Sequence, residues 1–361
     1  MSTLDLSAIR HEIDALDAQI QTLMNRRATL ALDVARAKRA LEPDPDFYRP
    51  EREAEVLSKA IARNQAGPLS IDTVSYLFRE IMSACLALQK PLQVAYLGPQ
   101  GTYSEAAVLK QFGHAVKGVP VQTIEEVFRE VAAGNVHYGV VPVENSTEGG
   151  VNQSLDMFLR SELRICGEVD LPIHHCLMSR SSDMAALTVI YSHQQSLAQC
   201  RLWLDTHFPK LERITVSSNA EAARRAAEEP NAGAVAGQTA AERYGLTVLA
   251  SQIEDQVDNI TRFAVLGRHP VPPTGYDKTS LLVSASNRPG ALHHLLTPFS
   301  DQGLSLTRIE SRPSRQGMWE YVFFIDVEGH LEDPPLKQAL EALRHHSALL
   351  KHLGSYPRAS R

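Results

Sequence analysis

The chain has 361 residues, more than one hydrophobic core usually organises, so we expect two or three domains. A hydrophobic content of 43% and a charged content of 22% are ordinary for a folded protein and exclude a disordered or fibrous chain. The net charge of −6 gives no basic excess for binding a phosphate backbone, so we do not expect nucleic acid as a partner.

Targeting and redox features predict a cytoplasmic protein. No run approaches the roughly 18 apolar residues of a membrane span, so no membrane partner is expected. The first five residues lead into a charged amphipathic segment, which differs from a signal peptide. The cysteines are far apart, without a Cys-x-x-Cys pair, and predict reduced thiols that lie mostly in the core. They are Cys85, Cys166, Cys176 and Cys200.

The first part of the chain has a helical pattern from Leu4 to about Gln89. A Pro/Asp break at 42–46 and a Gly-Pro break at 67–68 divide it into three helices. From Gln93 onward, short β-rich runs alternate with helical ones, which favours α/β units around largely parallel sheets. The predicted strands are 93–97, 138–143, 188–191, 214–216, 234–236 and 263–266.

A Pro-rich linker at 267–275 precedes the last region. There the predicted order is strand, helix, strand, strand, helix, strand, which is typical of a small ferredoxin-like domain. The elements are 279–284, 290–301, 305–310, 320–327, 335–345 and 349–356.

The first predicted helix carries a heptad seam, because its inward positions are spaced alternately by four and three residues. The seam consists of Ile9, Ile13, Leu16, Ile20, Leu23, Arg27, Leu30 and Val34. Arg27 is unusual there, since a buried guanidinium is costly unless an anion meets it. Lys38 projects within roughly 20° of Arg27, whereas Arg10 points about 100° away and could reach the same pocket from a partner chain. The alternative is that Arg27 pairs with a structural carboxylate.

The second and third helices add two polar residues. Glu51 follows Pro50, which is well placed at a first helical position, although a carboxylate in a first turn commonly pairs with the helix dipole. Gln89 continues the apolar stripe of Ile81 and Cys85, although a glutamine near a helix end is ordinarily solvated.

Taken in order over about 90 residues, these features resemble the all-helical chorismate mutases. The resemblance implies a dimer of intertwined helices in which Arg27, and Arg10 of the other chain, bind the two carboxylates of chorismate. It also implies that Lys38 and Gln89 donate to the ether oxygen as its C–O bond breaks in the Claisen rearrangement, and that Glu51 holds the substrate hydroxyl. Such a site fixes a reactive conformer and supplies preorganised charge.

Two positions depart from the mutase pattern. Cys85 stands where some relatives carry serine, so a minor hydrogen bond is lost. The segment 46–50 differs from the version with Asp and Arg at neighbouring positions, so Arg49 is a chorismate-binding candidate without an assigned role.

Four polar clusters in the central region lie at strand ends or just before a strand, and glycines beside two of them allow close approach of the backbone to a ligand. They are Thr102 with Ser104, Asn145 with Ser146, Ser192 with His193 and Gln199, and Thr261 with Arg262 and Phe263. Each alone is more often a cap or turn. Together they indicate one cleft, because ligands bind outside the carboxyl ends of strands in α/β sheets.

The segments Gly-Pro-Gln-Gly-Thr-Tyr-Ser-Glu, Glu-Asn-Ser-Thr-Glu-Gly-Gly-Val, Tyr-Ser-His-Gln-Gln and Thr-Arg-Phe resemble prephenate dehydratase. The resemblance covers residues 92–268 and implies two α/β lobes with the active site between them. It implies that Thr261 is the catalytic hydroxyl, that Arg262 binds a carboxylate, and that the other cluster residues form the prephenate pocket. The reaction couples decarboxylation to loss of the ring hydroxyl and gives phenylpyruvate.

Other site chemistries are disfavoured. Ser192 and His193 do not form a protease-like pair, because adjacent residues alternate sides of a strand. No Walker loop or dinucleotide fingerprint is present. Histidine pairs at 174–175, 293–294 and 345–346 lack metal-ligand spacing, so we expect no metal and no cofactor.

The C-terminal region contains Gly-Ala-Leu within 286–292 and Glu-Ser-Arg-Pro within 308–313, where Pro and Gly are also ordinary turn residues. Both segments resemble the ACT regulatory domain attached to prephenate dehydratases. The resemblance implies an L-phenylalanine site at a domain interface, formed between chains, that feeds back on activity. Its residues would be Gly290, Ala291, Leu292, Glu310, Ser311, Arg312 and Pro313.

In order, the three regions resemble the bifunctional chorismate mutase/prephenate dehydratases of L-phenylalanine biosynthesis. We predict a multidomain chain with an all-α domain at 1–91, a two-lobed α/β domain at 92–270 and an α+β ferredoxin-like (βαββαβ) ACT domain at 277–361. Expected partners are chorismate, prephenate, L-phenylalanine and further copies in a homodimer or higher homo-oligomer. One alternative is a dehydratase whose helical domain serves only for dimerisation, but the presence of the mutase residues argues against it. Another is a non-enzymatic amino-acid sensor, but the retained Thr-Arg-Phe segment argues against that.

Overall fold

A computed structural model describes residues 5–42, 45–284, 289–313 and 321–359. Four sequence predictions fall on other residues and lie outside the described part: the extreme N-terminus at 1–4, the centre of the first helix break at 43–44, the segment 286–288 and the start of a strand at residue 320. The chain divides into two compact units, one formed by residues 1–92 with 112–117 and the other by 93–111 with 118–361.

The first unit contains the three predicted helices, α1 (Leu6–Leu41), α2 (Pro50–Arg63) and α3 (Ile71–Gln89). Asp5 and Ser70 cap α1 and α3 by accepting hydrogen bonds from backbone N–H groups of their first turns. Much of the heptad seam of α1 is uncovered in this chain, since Leu16, Ile20 and Leu23 are 51%, 53% and 62% exposed.

The central region of the second unit forms two lobes, each built on one sheet. The first lobe contains β1 (Gln93–Leu97), α4 (Tyr103–Phe112), β2 (Lys117–Val121), α5 (Ile124–Ala132), β3 (Tyr138–Asn145), β4 (Gly149–Gly150), α6 (Asn152–Arg160), β5 (Arg164–Pro172) and β11 (Ile260–Gly267). The second contains β6 (Cys176–Ser179), β7 (Val189–His193), α7 (Gln194–Gln199), α8 (Arg201–His207), β8 (Glu212–Val216), α9 (Asn219–Glu228), β9 (Ala232–Ala236), α10 (Gln238–Tyr244) and β10 (Thr247–Ala250). This confirms the two-lobed α/β prediction.

Both sheets are mixed, which corrects the expectation of largely parallel ones. The first has the order β2-β1-β3-β11-β5, with β4 beside β3, and β11 runs antiparallel to both β3 and β5. The second has the order β10-β6-β9-β7-β8, in which β7 is parallel to its neighbours but β6 is antiparallel to its own. A parallel pair requires a long crossover connection, whereas β11 enters the first lobe directly from the second.

The last region has the predicted βαββαβ order, which confirms the ferredoxin-like assignment. Its elements are β12 (Asp277–Ser284), α11 (Ala291–Asp301), β13 (Leu306–Pro313), β14 (Tyr321–Glu328), α12 (Pro334–Arg344) and β15 (Leu349–Pro357). The strands form an antiparallel sheet of order β13-β14-β12-β15.

Both faces of this sheet are buried. Successive side chains on a strand point to opposite faces, so each strand contributes to two different cores. Leu281 and Ile325 pack with the residues of α11 and α12 in one core. Their neighbours Leu282 and Phe324 join a second core that includes Phe158 of the first lobe. The C-terminal sheet and the first lobe therefore share a hydrophobic core.

The shared core predicts a large difference between two leucine truncations in the same sheet. Leu282→Ala, at a fully buried position, should destabilise the second unit by about 2–5 kcal/mol because it leaves a cavity. Leu349→Ala, at a position that is 41% exposed, should change stability by less than about 0.5 kcal/mol. Urea unfolding of both variants measures the difference, and equal midpoints would contradict the shared core.

Candidate active sites

The helical unit contains a cavity of about 510 Å³ that α1, α2 and α3 line together. Six of the seven predicted chorismate residues lie in its wall. These residues are Arg27, Lys38, Arg49, Glu51, Cys85 and Gln89. Arg10 is exposed on α1 and does not line this cavity.

Charged groups in this cavity have defined partners. The Lys38 ammonium donates to the backbone oxygen of Asp46 at 2.9 Å, and the Arg49 guanidinium lies 3.1 Å from the Glu51 carboxylate. Burial lowers the pKa of Lys38, and the nearby Arg49 cation lowers it further, although Asp46 and Glu51 oppose the shift. The Arg27 guanidinium makes a long hydrogen bond of 3.4 Å to the backbone oxygen of Ile81.

The structure adds an ion pair that the sequence analysis missed. Glu53 of α2 and Arg79 of α3 both line the cavity, and Arg79 Nε lies 3.2 Å from Glu53 Oε1. Burial raises the pKa of Glu53, although Arg79 and Tyr48 stabilise its charged form. In the sequence both charges look like ordinary surface residues of amphipathic helices, so nothing local distinguished them.

A second cavity, of about 710 Å³, lies between the two lobes of the α/β region. The first lobe contributes Thr147 and Glu148, the second contributes His193 and Gln199, and the connection between the lobes contributes Glu254. His193 and Gln199 are the two predicted prephenate residues that line this cavity directly.

Asn145 and Thr261 face each other across neighbouring strands just behind the lining residues. The Asn145 side-chain oxygen accepts from the backbone N–H groups of Thr147 and Glu148 and from the Thr147 hydroxyl. That oxygen is therefore occupied, and the Asn145 amide nitrogen donates to Thr261 Oγ1 at 2.9 Å and to Asn259 at 2.8 Å. Because Thr261 accepts from Asn145, its own proton remains available for another acceptor.

A buried polar chain behind Gln199 was also missed. His175 Nε2 lies 2.8 Å from Gln199 Oε1, and its other ring nitrogen lies 2.8 Å from the Tyr103 hydroxyl. Burial lowers the pKa of His175, although the bond to Gln199 opposes the shift. Burial also opposes ionisation of Glu254, but hydrogen bonds from His174 and from the backbone of His175 hold the pKa of Glu254 below its usual value.

Three of the predicted prephenate residues point away from the cavity. The Ser192 hydroxyl is fully buried and donates to the backbone oxygen of Val235 at 2.7 Å, so it is not a nucleophile paired with His193. Phe263 is a core residue with 2% exposure. Arg262 lies on the opposite face of its strand from Thr261 and forms ion pairs with buried carboxylates, so the expected role as a carboxylate binder has no support in this geometry.

The remaining prephenate candidates have local structural contacts. Thr102 caps the start of α4 by accepting from the N–H of Glu105 at 3.4 Å, and Ser104 is buried in the first turn of that helix. Ser146 ties the loop after β3 to β11, because its hydroxyl accepts from the N–H of Ile260 at 2.9 Å.

The predicted regulatory residues lie on two elements of the C-terminal region. Gly290, at φ +78°, caps α11, whose first turn contains Ala291 and the exposed Leu292. Glu310, Ser311, Arg312 and Pro313 end the edge strand β13. Arg312 is buried and pairs with Asp156 of the first lobe at 2.8 Å.

All four cysteines are buried, as predicted. Within the described ranges, no helix is long and apolar enough to cross a membrane. The same ranges contain no group of three or more His, Cys, Asp or Glu side chains that could hold a metal ion.

Comparison with known proteins finds three families along the chain. The profile of chorismate mutase type II matches residues 9–90, that of prephenate dehydratase matches 94–271, and that of the ACT domain matches 279–345.

Relatives match nearly the whole length of the chain. A bifunctional chorismate mutase/prephenate dehydratase of Stutzerimonas stutzeri is 56% identical, over 99% of this chain and all of that protein. The protein of the same name from Pseudomonas aeruginosa is also 56% identical, over 98% of each chain. A crystal structure of prephenate dehydratase from Arthrobacter aurescens in complex with L-Phe covers 74% of this chain and 90% of its own, with a TM-score of 0.68 at 36% identity. The chain belongs to the bifunctional chorismate mutase/prephenate dehydratase family.

Proposed function

We propose that the protein converts chorismate to prephenate and prephenate to phenylpyruvate in L-phenylalanine biosynthesis, with feedback inhibition by L-phenylalanine. The observation that carries the proposal is the presence of two separate polar cavities, each within one compact unit and each beside the residues that the matching family implies. We place the enzyme in the cytoplasm, because its cysteines are buried and widely spaced, unlike the disulfide framework of a small secreted protein.

In the mutase cavity, catalysis requires no covalent step. Arg27 binds a carboxylate of chorismate and Glu51 accepts from its hydroxyl, which together hold the substrate in the conformer that rearranges. Lys38 and Gln89 donate to the ether oxygen, which gains negative charge as its bond to carbon breaks. Arg49 completes this arrangement by holding the Glu51 carboxylate, which gives it a positioning role.

In the cavity between the lobes, Thr261 protonates the departing hydroxyl of prephenate, which leaves as water. The bond to the ring carboxylate breaks at the same time, carbon dioxide leaves, and the released electron pair completes the aromatic ring. The Thr261 oxygen then takes up a proton from water, which restores the hydroxyl. The Asn145 amide supports this step, because its hydrogen bond to Thr261 Oγ1 turns the threonine proton outward and stabilises negative charge on that oxygen. His193 and Gln199 supply further polar contacts to the substrate from the second lobe.

Two single substitutions, one beside each cavity, test the two activities separately. Arg27→Ala should lower chorismate turnover by about a hundredfold or more, since it removes a preorganised charge, and should leave prephenate turnover unchanged. Thr261→Val, which keeps the shape but removes the hydroxyl, should lower prephenate turnover by about a hundredfold and spare chorismate turnover. Each variant is the control for the other, with chorismate loss and phenylpyruvate formation followed separately.

The outcome also separates the alternatives. If the unmodified protein turns over prephenate but not chorismate, the helical domain serves only for dimerisation. If it turns over neither substrate, an amino-acid sensor is favoured. A mutase rate unaffected by Arg27→Ala would show that the helical cavity is not the chorismate site.

The mutase site also requires a second chain in this proposal. The seam residues of α1 are about half exposed, which is unusual for a row of large apolar side chains on a soluble helix. A homodimer covers the seam and brings the partner subunit's Arg10 to the cavity. Heptad spacing supports helix pairing of this kind.

Charge placed on the seam should separate the subunits. Leu16→Glu combined with Ile20→Glu should give a monomer by light scattering that loses chorismate turnover, because Arg10 of the partner subunit is absent. Ala18→Glu combined with Asn25→Glu adds the same charge at exposed positions off the seam and should leave a dimer with unchanged turnover. A monomeric seam variant with full mutase activity would contradict a site shared between chains.

Feedback inhibition is proposed to act through L-phenylalanine bound at Gly290–Leu292 and Glu310–Pro313. The exposed N–H groups at the start of α11 suit the carboxylate of the amino acid. Gly290→Ala should weaken inhibition of the dehydratase at least about tenfold, because a methyl group then stands beside those N–H groups. Gly303→Ala at the other end of α11 has a similar left-handed φ, +65° against +78°, and should retain inhibition. Equal inhibition of both variants would contradict the assignment.

A further inference from the structure

The strand pair β3 and β11 presents two different faces. Thr261 lies opposite Asn145 in the register of the pair, and the next residue, Arg262, lies opposite Glu144. Because side chains alternate along a strand, the face that carries Thr261 and Asn145 is the reverse of the face that carries Arg262 and Glu144. The proposed catalytic pair and this charged pair are therefore adjacent along the same two strands.

The charged face meets the ACT sheet. Arg262 Nη1 lies 2.7 Å from Asp326 Oδ2 of β14 and 3.5 Å from Glu168 of β5, and Nη2 lies 3.2 Å from Glu144. On the neighbouring strand, Arg308 Nε of β13 lies 2.9 Å from Glu144. Two side chains of the ACT sheet thus reach the residues next to Thr261 and Asn145.

Asp326 is itself rigidly held. Asp326 is 4% exposed, and its Oδ1 accepts a hydrogen bond from the Ser280 hydroxyl at 2.6 Å. The same hydroxyl lies 2.7 Å from the hydroxyl of Tyr356, which is 1% exposed. Asp326 is consequently a fixed anion that sets the position of the Arg262 side chain.

Each carboxylate of the cluster has a cationic partner. Lys278 Nζ lies 2.7 Å from Glu168, Arg262 contacts Glu144, Glu168 and Asp326, and Arg308 contacts Glu144 and, at 3.9 Å, Glu310. Loss of one member leaves its buried partner incompletely neutralised, and that partner must move toward water or another charge. A displaced Arg262 would shift its own backbone and that of Thr261 beside it.

We propose that Asp326 of the ACT domain is a positioning residue for the dehydratase reaction: it fixes Arg262, and through the shared strand it holds Thr261 in register with Asn145. The inference rests on the proposed dehydratase function. It makes the ACT sheet part of the support of the active site even without L-phenylalanine, in addition to any regulatory role.

Asp326→Asn tests the proposal with little change in shape. The variant should lower kcat for prephenate by about tenfold to a hundredfold, because the reacting hydroxyl is misplaced, while KM changes by less than about threefold. Asp277→Asn is the matched control, since Asp277 is a 5% exposed carboxylate of the same sheet that binds the segment at Thr274 and Gly275. It should retain kcat.

A double-mutant cycle separates positioning from general destabilisation. If Asp326 acts through Arg262, the kcat of the combined Asp326→Asn and Arg262→Gln variant should equal that of Arg262→Gln alone. If the loss of kcat in the double variant instead equals the product of the losses in the two single variants, the proposal is overturned. Unchanged kcat of folded Asp326→Asn, with only a lower melting temperature, would overturn it as well.

Amide hydrogen exchange provides a readout that does not depend on turnover. In Asp326→Asn, exchange should quicken in the peptide covering Ile260–Gly267 and in that ending at Asn145, and Asp277→Asn should leave both unchanged. Absence of prephenate turnover in the unmodified protein would reject the proposed function alone, whereas unchanged exchange in Asp326→Asn would reject the positioning role.

Discussion

Buried charge requires an opposite charge close by, and this constraint connects the dehydratase lobe to the ACT sheet. Arg262 follows Thr261 directly in the sequence, so strand alternation sends its guanidinium to the face opposite the Thr261 hydroxyl. That face is largely buried, because Leu282 and Phe324 of the ACT sheet complete the core of the first lobe there. Asp326 is the anion that makes a cation tolerable at this position.

Each of the two cavities forms where elements distant in sequence meet, and polar side chains line it from several sides. Arg27 and Gln89 reach the helical cavity from helices separated by the whole of α2. His193 and Glu148 reach the other from different lobes. Cleft walls built in this way exclude water from most of the substrate and leave a few polar groups to orient it, which suits reactions driven by positioning and charge.

Local signals predicted the elements with strong periodicity or turn chemistry, namely the three helices and the βαββαβ order of the last region. They did not predict β2, β4, β5, β6 and β10, or that β11 runs antiparallel to β3. The segment Arg164–Pro172 mixes charged and apolar residues, since Glu168 pairs with Lys278 of the ACT sheet while Ile165 joins the hydrophobic core, so it lacks the alternation expected of a strand with one solvent-exposed face. Pairing direction depends on where the chain re-enters a sheet, which local sequence does not encode.

The three regions and the family resemblance could be read from the sequence. Helical periodicity placed Arg27 and Lys38 on one face of the first helix, because it fixes which side chains share a face before any tertiary contact forms, whereas the other chorismate candidates came from the resemblance. Which side of β11 each residue of the Thr-Arg-Phe segment faces became evident from the tertiary structure alone. Neighbouring residues on a strand point in opposite directions, and packing of the ACT sheet on one side assigns Arg262 to an ion-pair cluster and leaves Thr261 on the other side, beside Asn145. Packing of the ACT sheet likewise brings Asp326 to Arg262, and packing of α2 against α3 pairs Glu53 with Arg79, since ion pairs between distant elements exist only once those elements have met.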